Sequence, residues 1–196
     1  MLNTRNKKRD NGLNVFRPRG FTLIELMVTI AIAAVMFALA LPALGDFVRN
    51  NRRASAVNEF MATANLARAE ALRRASRVSV CRTNDPTNAA PTCGAGSGWE
   101  EGWIVFHDQN GDSTWDAGEA IIKVNQALSG DITIRGNANI ATLLAFAPSG
   151  ALAGVNNGTL VICDSRGYGA NARQIVASAT GRLRSQVAPS VGTCTP

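Results

Sequence analysis

The sequence is poor in the residues that build most catalytic and metal sites. It has one histidine and four cysteines among 196 residues. His107 has no second histidine with which to share a zinc ion, and no two cysteines have the Cys-x-x-Cys spacing. A Gly-x-Ser-x-Gly motif is absent, and no nucleophile lies near His107 in the sequence. These absences predict a protein that is not an enzyme and that carries no cofactor.

Composition excludes three further classes of protein. With 46% hydrophobic and 17% charged residues, the chain has enough apolar surface to fold and too little charge to remain disordered. Its 18 glycines and four cysteines are too few for a collagen-like chain or for a miniprotein held by disulfides. No internal repeat is present, and the length suits one domain with at most an appendage.

The positive charge is concentrated near the N-terminus. The formal net charge is +6, but residues 1–20 hold six Lys and Arg against one Asp, a net +5. Residues 21–196 are therefore nearly neutral, at +1. Any anion bound there must be held by a local group of basic side chains, because the global field is weak.

An apolar segment follows the basic one. It has 24 residues, from Phe21 to Leu44, and Glu25 is its one charged residue. A helix of this length spans about 36 Å, enough to cross a hydrocarbon core of about 30 Å. The preceding basic residues predict a cytoplasmic N-terminus and a translocated remainder. A cleaved secretory signal fits less well, because the run is too long and no small-x-small cleavage site follows it.

The apolar segment begins with a motif that resembles the signal of type IV prepilins and type II secretion pseudopilins: Gly20-Phe21-Thr22-Leu23-Ile24-Glu25-Leu26. The resemblance implies that a prepilin peptidase cleaves after Gly20 and that the new N-terminal residue, Phe21, is methylated. It also implies that Glu25, whose charge is costly inside a membrane, pairs with the amino terminus of a neighbouring subunit during assembly. Pro42 matches the helix-kinking proline of that family.

After Pro42 the pattern changes from uniformly apolar to amphipathic. From Val48 to about Arg77 no glycine or proline interrupts the sequence. Apolar residues recur there at three- and four-residue spacing, which predicts one helix face packed on a globular head. The residues of this face are Val57, Phe60, Met61, Ala64 and Ala67. The arginines of the same helix fit either a solvated or subunit-contacting face or a contribution to DNA binding.

Beyond Arg77 the sequence turns to short β-type runs separated by Gly, Asn, Asp and Pro. We predict strands at Val78–Arg82, Trp103–His107, Ala120–Val124, Ile132–Arg135, Leu143–Ala147, Leu160–Cys163 and Gln174–Ala179. Strands without intervening helices indicate an antiparallel head of two small sheets against the helix, an α+β fold. The layout resembles the FimT/GspH branch of minor pilins, which implies a type IV pilin-like fold. The predicted domains are a leader at 1–20, a transmembrane helix at 21–44, an amphipathic helix at 45–77 and a head at 78–196.

The four cysteines allow three pairings among Cys81, Cys93, Cys163 and Cys194. The predicted topology places them in the periplasm, where disulfides form. We favour Cys81–Cys93, which closes a loop rich in Thr, Asn, Pro and Gly, together with Cys163–Cys194, which pins the C-terminal tail.

One acidic loop resembles an EF-hand calcium loop in its oxygen-bearing residues. These residues are Asp108, Asn110, Asp112, Asp116 and Glu119. The loop departs from the calcium pattern because its glycine is at position 4, Ser113 is at position 6, and no helix pattern flanks it. We interpret it as a polar turn between two strands that needs no metal.

The element Gly181-Arg182-Leu183-Arg184 is the strongest candidate for a binding site. On an extended segment Arg182 and Arg184 point the same way, and two guanidiniums on one face can bind successive phosphates. In FimT-type minor pilins the matching Gly-Arg-x-Arg element binds DNA, so the resemblance implicates Arg182 and Arg184, with Gly181 letting the DNA backbone approach. Gln186 stands where a third arginine would strengthen the site.

Arg166 and Arg173 are candidate neighbours of this element if their strands lie beside it. The alternative is that the arginines only solvate an edge strand. Binding through two to four phosphates would be independent of DNA sequence and weak, with a Kd of about 10⁻⁴–10⁻⁶ M at physiological salt.

Two functional hypotheses follow. The first is a type IV minor pilin that binds double-stranded DNA and supports its uptake in natural transformation. The second is a priming subunit of a type IV pilus or a pseudopilin of a type II secretion system, without DNA binding. Both imply a Gram-negative host, a single pass through the inner membrane with a periplasmic head, and incorporation into a fibre. Their implied partners are other pilins, the prepilin peptidase and the inner-membrane assembly platform.

Overall fold

The computed structural model describes residues 20–169 and 172–189 together with Cys194. The chain divides into two units between Leu44 and Gly45. One α-helix, α1 (Leu23–Arg74), contributes residues to both units. We describe the two units separately.

The first unit is the apolar part of α1. Within the described residues α1 is long and apolar enough to span a membrane, since one 18-residue window of it has a mean hydropathy of 2.5 and none of that window is buried. The large side chains there are exposed, including Ile24 (71%) and Phe37 (67%). Side chains of this kind are stable only when lipid or other apolar surface covers them. Pro42 lies within the bounds of α1.

The second unit begins with the amphipathic part of α1. The face with three- and four-residue spacing is the one that packs on the head: Val57, Phe60, Ala64 and Ala67 are buried, and Met61 is partly buried. Three of the buried positions of this face beyond Phe60 are alanines (Ala64, Ala67 and Ala71), so the backbone of the helix can approach the sheets closely. The helix ends at Arg74, because Ala75 adopts a left-handed φ of 48° and closes the last turn.

The head contains two antiparallel sheets of four strands each, as far as the described residues show. The first has the order β3-β2-β1-β5, and the second has the order β4-β6-β7-β8. The strands are β1 (Val78–Arg82), β2 (Trp103–His107), β3 (Ile121–Asn125), β4 (Thr133–Gly136), β5 (Leu143–Phe146), β6 (Asn157–Cys163), β7 (Arg173–Ser178) and β8 (Leu183–Val187). The predicted α+β fold with an antiparallel head is confirmed.

The main core lies between α1 and the inner faces of both sheets. Phe60 of α1 is fully buried at its centre. Its ring meets that of Trp99 edge-on at a centroid distance of 5.2 Å and that of Trp103 at 5.6 Å. Aromatic pairs of this geometry contribute about 0.5–1.5 kcal/mol beyond the burial of their area. This cluster therefore fixes the position of the helix on the head.

Two strands have the predicted bounds, β1 and β2, and five others differ by one to three residues at one or both ends. The strand β8 is not among the predicted strands, although the sequence predicts an extended segment at residues 182–184. Its sequence, Leu-Arg-Ser-Gln-Val, has apolar residues only at its two ends, so it carries little hydrophobic signal. It forms because it pairs with β7 at an edge of the second sheet.

Both disulfides have the pairing favoured from the sequence. Cys81 of β1 is bonded to Cys93, with a Cα–Cα distance of 5.3 Å. Cys163, the last residue of β6, is bonded to Cys194 at a Cα–Cα distance of 6.0 Å. In the chain-entropy model, closing loops of this size contributes on the order of 3 kcal/mol each. The second bond ties residue 194 to the second sheet.

Candidate functional site

The N-terminal motif forms the start of α1. Thr22 caps the helix, because its Oγ1 accepts a hydrogen bond from the Glu25 backbone N–H at 3.2 Å. Glu25 lies in the first turn, where a carboxylate interacts favourably with the helix dipole. Gly20 and Phe21 precede the helix and are exposed. The Thr-x-x-Glu spacing is a capping signal that can be found in the sequence itself.

Gly181 belongs to the tight turn between β7 and β8. Its N–H donates to the Ser178 carbonyl at 2.8 Å, and the Ser178 N–H donates to the Arg182 carbonyl at 3.0 Å. A three-residue loop of this kind needs a left-handed residue at its last position, and Gly181 has a φ of 76°. Gly181 is buried, and a Cβ on it would lie 1.9 Å from the Gly150 carbonyl oxygen. The structure thus gives Gly181 a role in forming the turn, and because the residue is buried it does not itself offer a contact to DNA.

Substitution of Gly181 by alanine should destabilise the head. The left-handed conformation alone costs about 1–2 kcal/mol for a residue with a Cβ, and the contact with Gly150 requires the backbone to move as well. Denaturant unfolding of wild type and Gly181→Ala measures the difference. The matched control is Gly154→Ala, which has a similar φ of 78° and open space around its Cβ position. Equal losses in the two variants would contradict a packing role for Gly181.

Arg182 and Arg184 lie on the solvent side of the second sheet's edge. Both are exposed, and Leu183 between them is buried in the core. Arg184 is opposite Val176 of β7, which fixes its register. Neither arginine forms a side-chain hydrogen bond or ion pair with the described part of the chain. Two unpaired guanidiniums two residues apart on one face can both bind a chain of anions.

Arg166 has a different environment from this pair. It forms ion pairs with Asp164 at 2.5 Å and with Asp46 of α1 at 3.3 Å. Its hydrogen bond to Asp164 raises the pKa of Arg166 above its usual value. The guanidinium therefore holds the loop after β6 to the helix, and it is not free to join Arg182 and Arg184.

Arg173 also lies apart from the arginine pair. Arg173 lies on the same face of β7 as Ile175 and Ala177, which is the face towards the core. Arg184 pairs with Val176 and therefore lies on the opposite face of the sheet. Arg173 lines a cleft of about 460 Å³ between α1 and β8. The structure does not bring Arg166 or Arg173 to the face of the Gly-Arg-x-Arg element. The sequence could not show this, because it depends on strand register for Arg173 and on contacts with α1 for Arg166.

Asp164, the partner of Arg166, also forms a buried ion pair that the sequence does not predict. Arg53 of α1 donates to Asp164 Oδ2 at 2.9 Å, and the two side chains are only 9% and 3% exposed. Hydrogen bonding from Arg166 holds the pKa of Asp164 below its usual value, and burial lowers the pKa of Arg53. Asp164 thus joins two arginines and connects the second sheet to the helix.

The acidic loop between β2 and β3 is organised around an arginine. Arg77 donates to the Gly111 carbonyl at 2.7 Å and pairs with the fully buried Asp108 at 3.2 Å. Glu119 accepts the backbone N–H groups of Gln109 and Asp116. The carboxylates of Asp108 and Glu119 therefore stabilise the loop between β2 and β3.

No group of three or more His, Cys, Asp or Glu side chains within the described residues is arranged to hold a metal ion. This holds for the calcium candidate at positions 108, 110, 112, 116 and 119. His107, at the end of β2, contacts the Gln109 side chain through its Nδ1 at 3.3 Å.

A long N-terminal helix followed by two antiparallel sheets defines the type IV pilin class of protein. The N-terminal segment matches the prokaryotic N-terminal methylation motif over residues 16–41. Residues 56–181, more than half of the chain, match the family model of the type II transport protein GspH. The chain belongs to the GspH family of minor pilins and pseudopilins, which are structural proteins.

Similarity to individual proteins agrees with this assignment. The chain is 31% identical over 172 residues to the pilin-like protein PilA1 of Thermus thermophilus, covering 85% of this chain and 97% of that protein. It is 50% identical over 40 residues to the fimbrial protein EcpC of Eikenella corrodens, but this match spans only 26% of EcpC and 20% of this chain. The crystal structure of the type IV minor pilin FimU of Pseudomonas aeruginosa has the same fold, with a TM-score of 0.54 and 21% identity over 76% of this chain and 98% of that one.

Proposed function

We propose that this protein is a minor pilin of a type IV pilus that binds double-stranded DNA without sequence preference through Arg182 and Arg184, and that it supports DNA uptake in natural transformation. The observation that carries the proposal is a pair of exposed guanidiniums, Arg182 just before the edge strand β8 and Arg184 within it, which form no ion pair with the described residues. Leu183 between them is packed in the core, so the backbone that presents both arginines is fixed.

The charge around the pair fits a weak and non-specific DNA contact. The chain beyond residue 20 has a net charge of only +1, so attraction must come from local arginines and not from the whole head. Contacts made only to phosphates carry no sequence information, which gives binding without sequence preference. A Kd of about 10⁻⁴–10⁻⁶ M is typical of such contacts at physiological salt. Several copies in one fibre would raise the avidity.

The test is an electrophoretic mobility shift of a double-stranded fragment by the processed chain, residues 21–196, in neutral detergent at two salt concentrations, because the basic residues 1–20 would add salt-dependent DNA binding of their own. A shift that is weaker at the higher salt concentration supports phosphate binding. No shift at protein concentrations well above about 10⁻⁴ M, the upper end of the expected Kd, or a shift that salt does not change, contradicts it.

We also propose that the N-terminal motif serves processing and assembly. A prepilin peptidase cleaves after Gly20 and Phe21 is methylated, while Glu25 pairs with the amino terminus of another pilin in the fibre. Gly20 and Phe21 are exposed before the capped start of α1, which leaves the bond between them accessible. In this proposal the helix crosses the inner membrane of a Gram-negative cell before the assembly platform incorporates it.

Glu25→Ala should leave the chain processed and membrane-inserted but should strongly reduce its amount in sheared pili. The reason is that the amino terminus of the incoming subunit loses its carboxylate partner. Immunoblots of membrane and sheared fractions measure both quantities. Thr22→Ala is the matched control, since it removes the cap on the same helix turn but keeps the carboxylate. Unchanged incorporation of Glu25→Ala would contradict the pairing.

A second candidate function is that of a structural priming subunit or a type II secretion pseudopilin. The match to the type II transport protein GspH favours it. In this case Arg182 and Arg184 only keep an edge strand soluble and unpaired. Deletion of the gene would then impair fibre assembly or secretion, and the purified protein would not shift DNA.

A further inference from the structure

We infer that Arg68 of α1 is a third DNA-binding arginine and that the DNA backbone crosses the β7–β8 turn instead of following β8 alone. This inference rests on the proposed DNA-binding function. Arg68 is far from the Gly-Arg-x-Arg element in sequence but lies directly against it in the fold. Its Nε is 3.3 Å from the position that a Cβ would take on Gly181, the residue before Arg182.

Two glycines hold the Arg68 side chain in place. Gly150 and Gly181 have the same left-handed φ of 76°, and they lie in contact with each other beside α1. A Cβ on Gly150 would be 3.2 Å from Arg68 Nε and 3.2 Å from a methyl group of Leu72. The Arg68 side chain thus lies against the backbone of two glycines, with its Nε buried. An arginine that is already held loses less conformational entropy when it binds a phosphate.

The charge of Arg68 is not used by the described part of the head. Its buried Nε has no hydrogen-bond partner there, and no ion pair involves Arg68 among the described residues. The neighbouring arginines differ, because Arg73 pairs with Glu70 at 2.6 Å and Arg74 pairs with the same carboxylate at 2.7 Å. Hydrogen bonds from these two arginines lower the pKa of Glu70 to about 2, so its charge persists at physiological pH.

The position of Arg68 changes the expected path of DNA. Arg182 and Arg184 are on the outer face of the edge strand, and Arg68 is on the helix side of the turn. A backbone that contacts all three must pass across the turn. An elongated anion lying along β8 would meet Gln186 next, which carries no charge. The three arginines therefore suit a ligand with phosphates on more than one line, as in a duplex.

The experiment compares Arg68→Gln with Arg73→Gln in the processed chain, residues 21–196, in neutral detergent, so that the basic residues 1–20 do not contribute to DNA binding. Both variants remove one charge from the same stretch of α1, but Arg73 is 63% exposed and already paired. Fluorescence anisotropy with a short labelled duplex, over a series of salt concentrations, gives the Kd and its salt dependence. We expect Arg68→Gln to weaken binding by about tenfold, the size of one charge-assisted hydrogen bond, and to reduce the slope of log K against log salt by about one. Arg73→Gln should change the Kd less than about twofold.

Further arms separate the possible outcomes. Arg68→Lys keeps the charge and should recover most of the affinity, whereas loss through misfolding would show as a lowered thermal midpoint. Wild-type affinity of Arg68→Gln, or equal losses in Arg68→Gln and Arg73→Gln, would overturn the inference while leaving the proposed function in place. Absence of DNA binding by the wild type would instead overturn the proposed function itself.

Discussion

Arg182→Ala combined with Arg184→Ala is expected to abolish DNA binding at protein concentrations where the wild type is largely bound. Each lost phosphate contact lowers the slope of log K against log salt by about one, so the double variant should lose about two. Two charge-assisted contacts correspond to a loss of about a hundredfold in affinity. Since both side chains are exposed, the free energy of unfolding should change by less than about 0.5 kcal/mol per substitution.

The matched control is the double variant Arg49→Ala/Arg73→Ala. It also removes two positive charges, but from α1. Both of its side chains are exposed, Arg49 at 48% and Arg73 at 63%. Anisotropy titrations of the two double variants should differ sharply, and pili should remain visible by electron microscopy in cells that carry either one. If the control variant loses as much affinity as Arg182→Ala/Arg184→Ala, the binding reflects general charge and no arginine site exists on β8.

Asp164→Ala is expected to destabilise the head by about 3–5 kcal/mol, because it leaves the buried Arg53 without its counter-charge. The same substitution removes the partner of Arg166, so the loop after β6 loses its connection to α1. Urea unfolding with the disulfides intact measures the loss. Asp46→Ala is the matched control, since Asp46 pairs with Arg166 from an exposed position, and its removal should cost less than about 1 kcal/mol. Similar values for the two variants would contradict the importance of burial.

The same carboxylate predicts a pH dependence of stability. The pKa of Asp164 in the folded state lies below its usual value of 3.8. The unfolded chain therefore binds a proton more readily, and folding stability is fully present above about pH 4 and falls as the pH drops through the folded-state pKa. Unfolding free energies measured from pH 6 down to pH 2 should fall less steeply for Asp164→Ala than for wild type. Parallel curves would show that other carboxylates account for the acid sensitivity.

The sequence predicted those elements whose residues carry their own signal. The strand β2 is a run of β-branched and aromatic residues, and β1 alternates valine with serine and cysteine, so both carry a local strand signal and their predicted ends agree with the structure. The strand β8 has exposed Arg, Ser and Gln between its terminal apolar residues. It forms a strand because it pairs with β7, and such long-range pairing cannot be predicted from a local sequence pattern.

The candidate site shows the same division. Alternation in an extended chain was enough to predict that Arg182 and Arg184 share a face. The environments of Arg166 and Arg173 depend on contacts with α1, and the hydrogen bond from Arg77 to the Gly111 carbonyl joins residues 34 positions apart. In the sequence, Arg68 is one of several arginines on the same helix. Only the fold shows that it lies beside Gly181.

The geometry of the β7–β8 turn also affects how related sequences should be read. Any family member that makes this turn against the same loop needs a glycine at the place of Gly181, whatever its ligand, because a Cβ there would strike the Gly150 carbonyl. The glycine of a Gly-Arg-x-Arg element is thus a marker of hairpin geometry. The two arginines, which the turn does not require, are the part of the element that can distinguish DNA receptors from purely structural subunits.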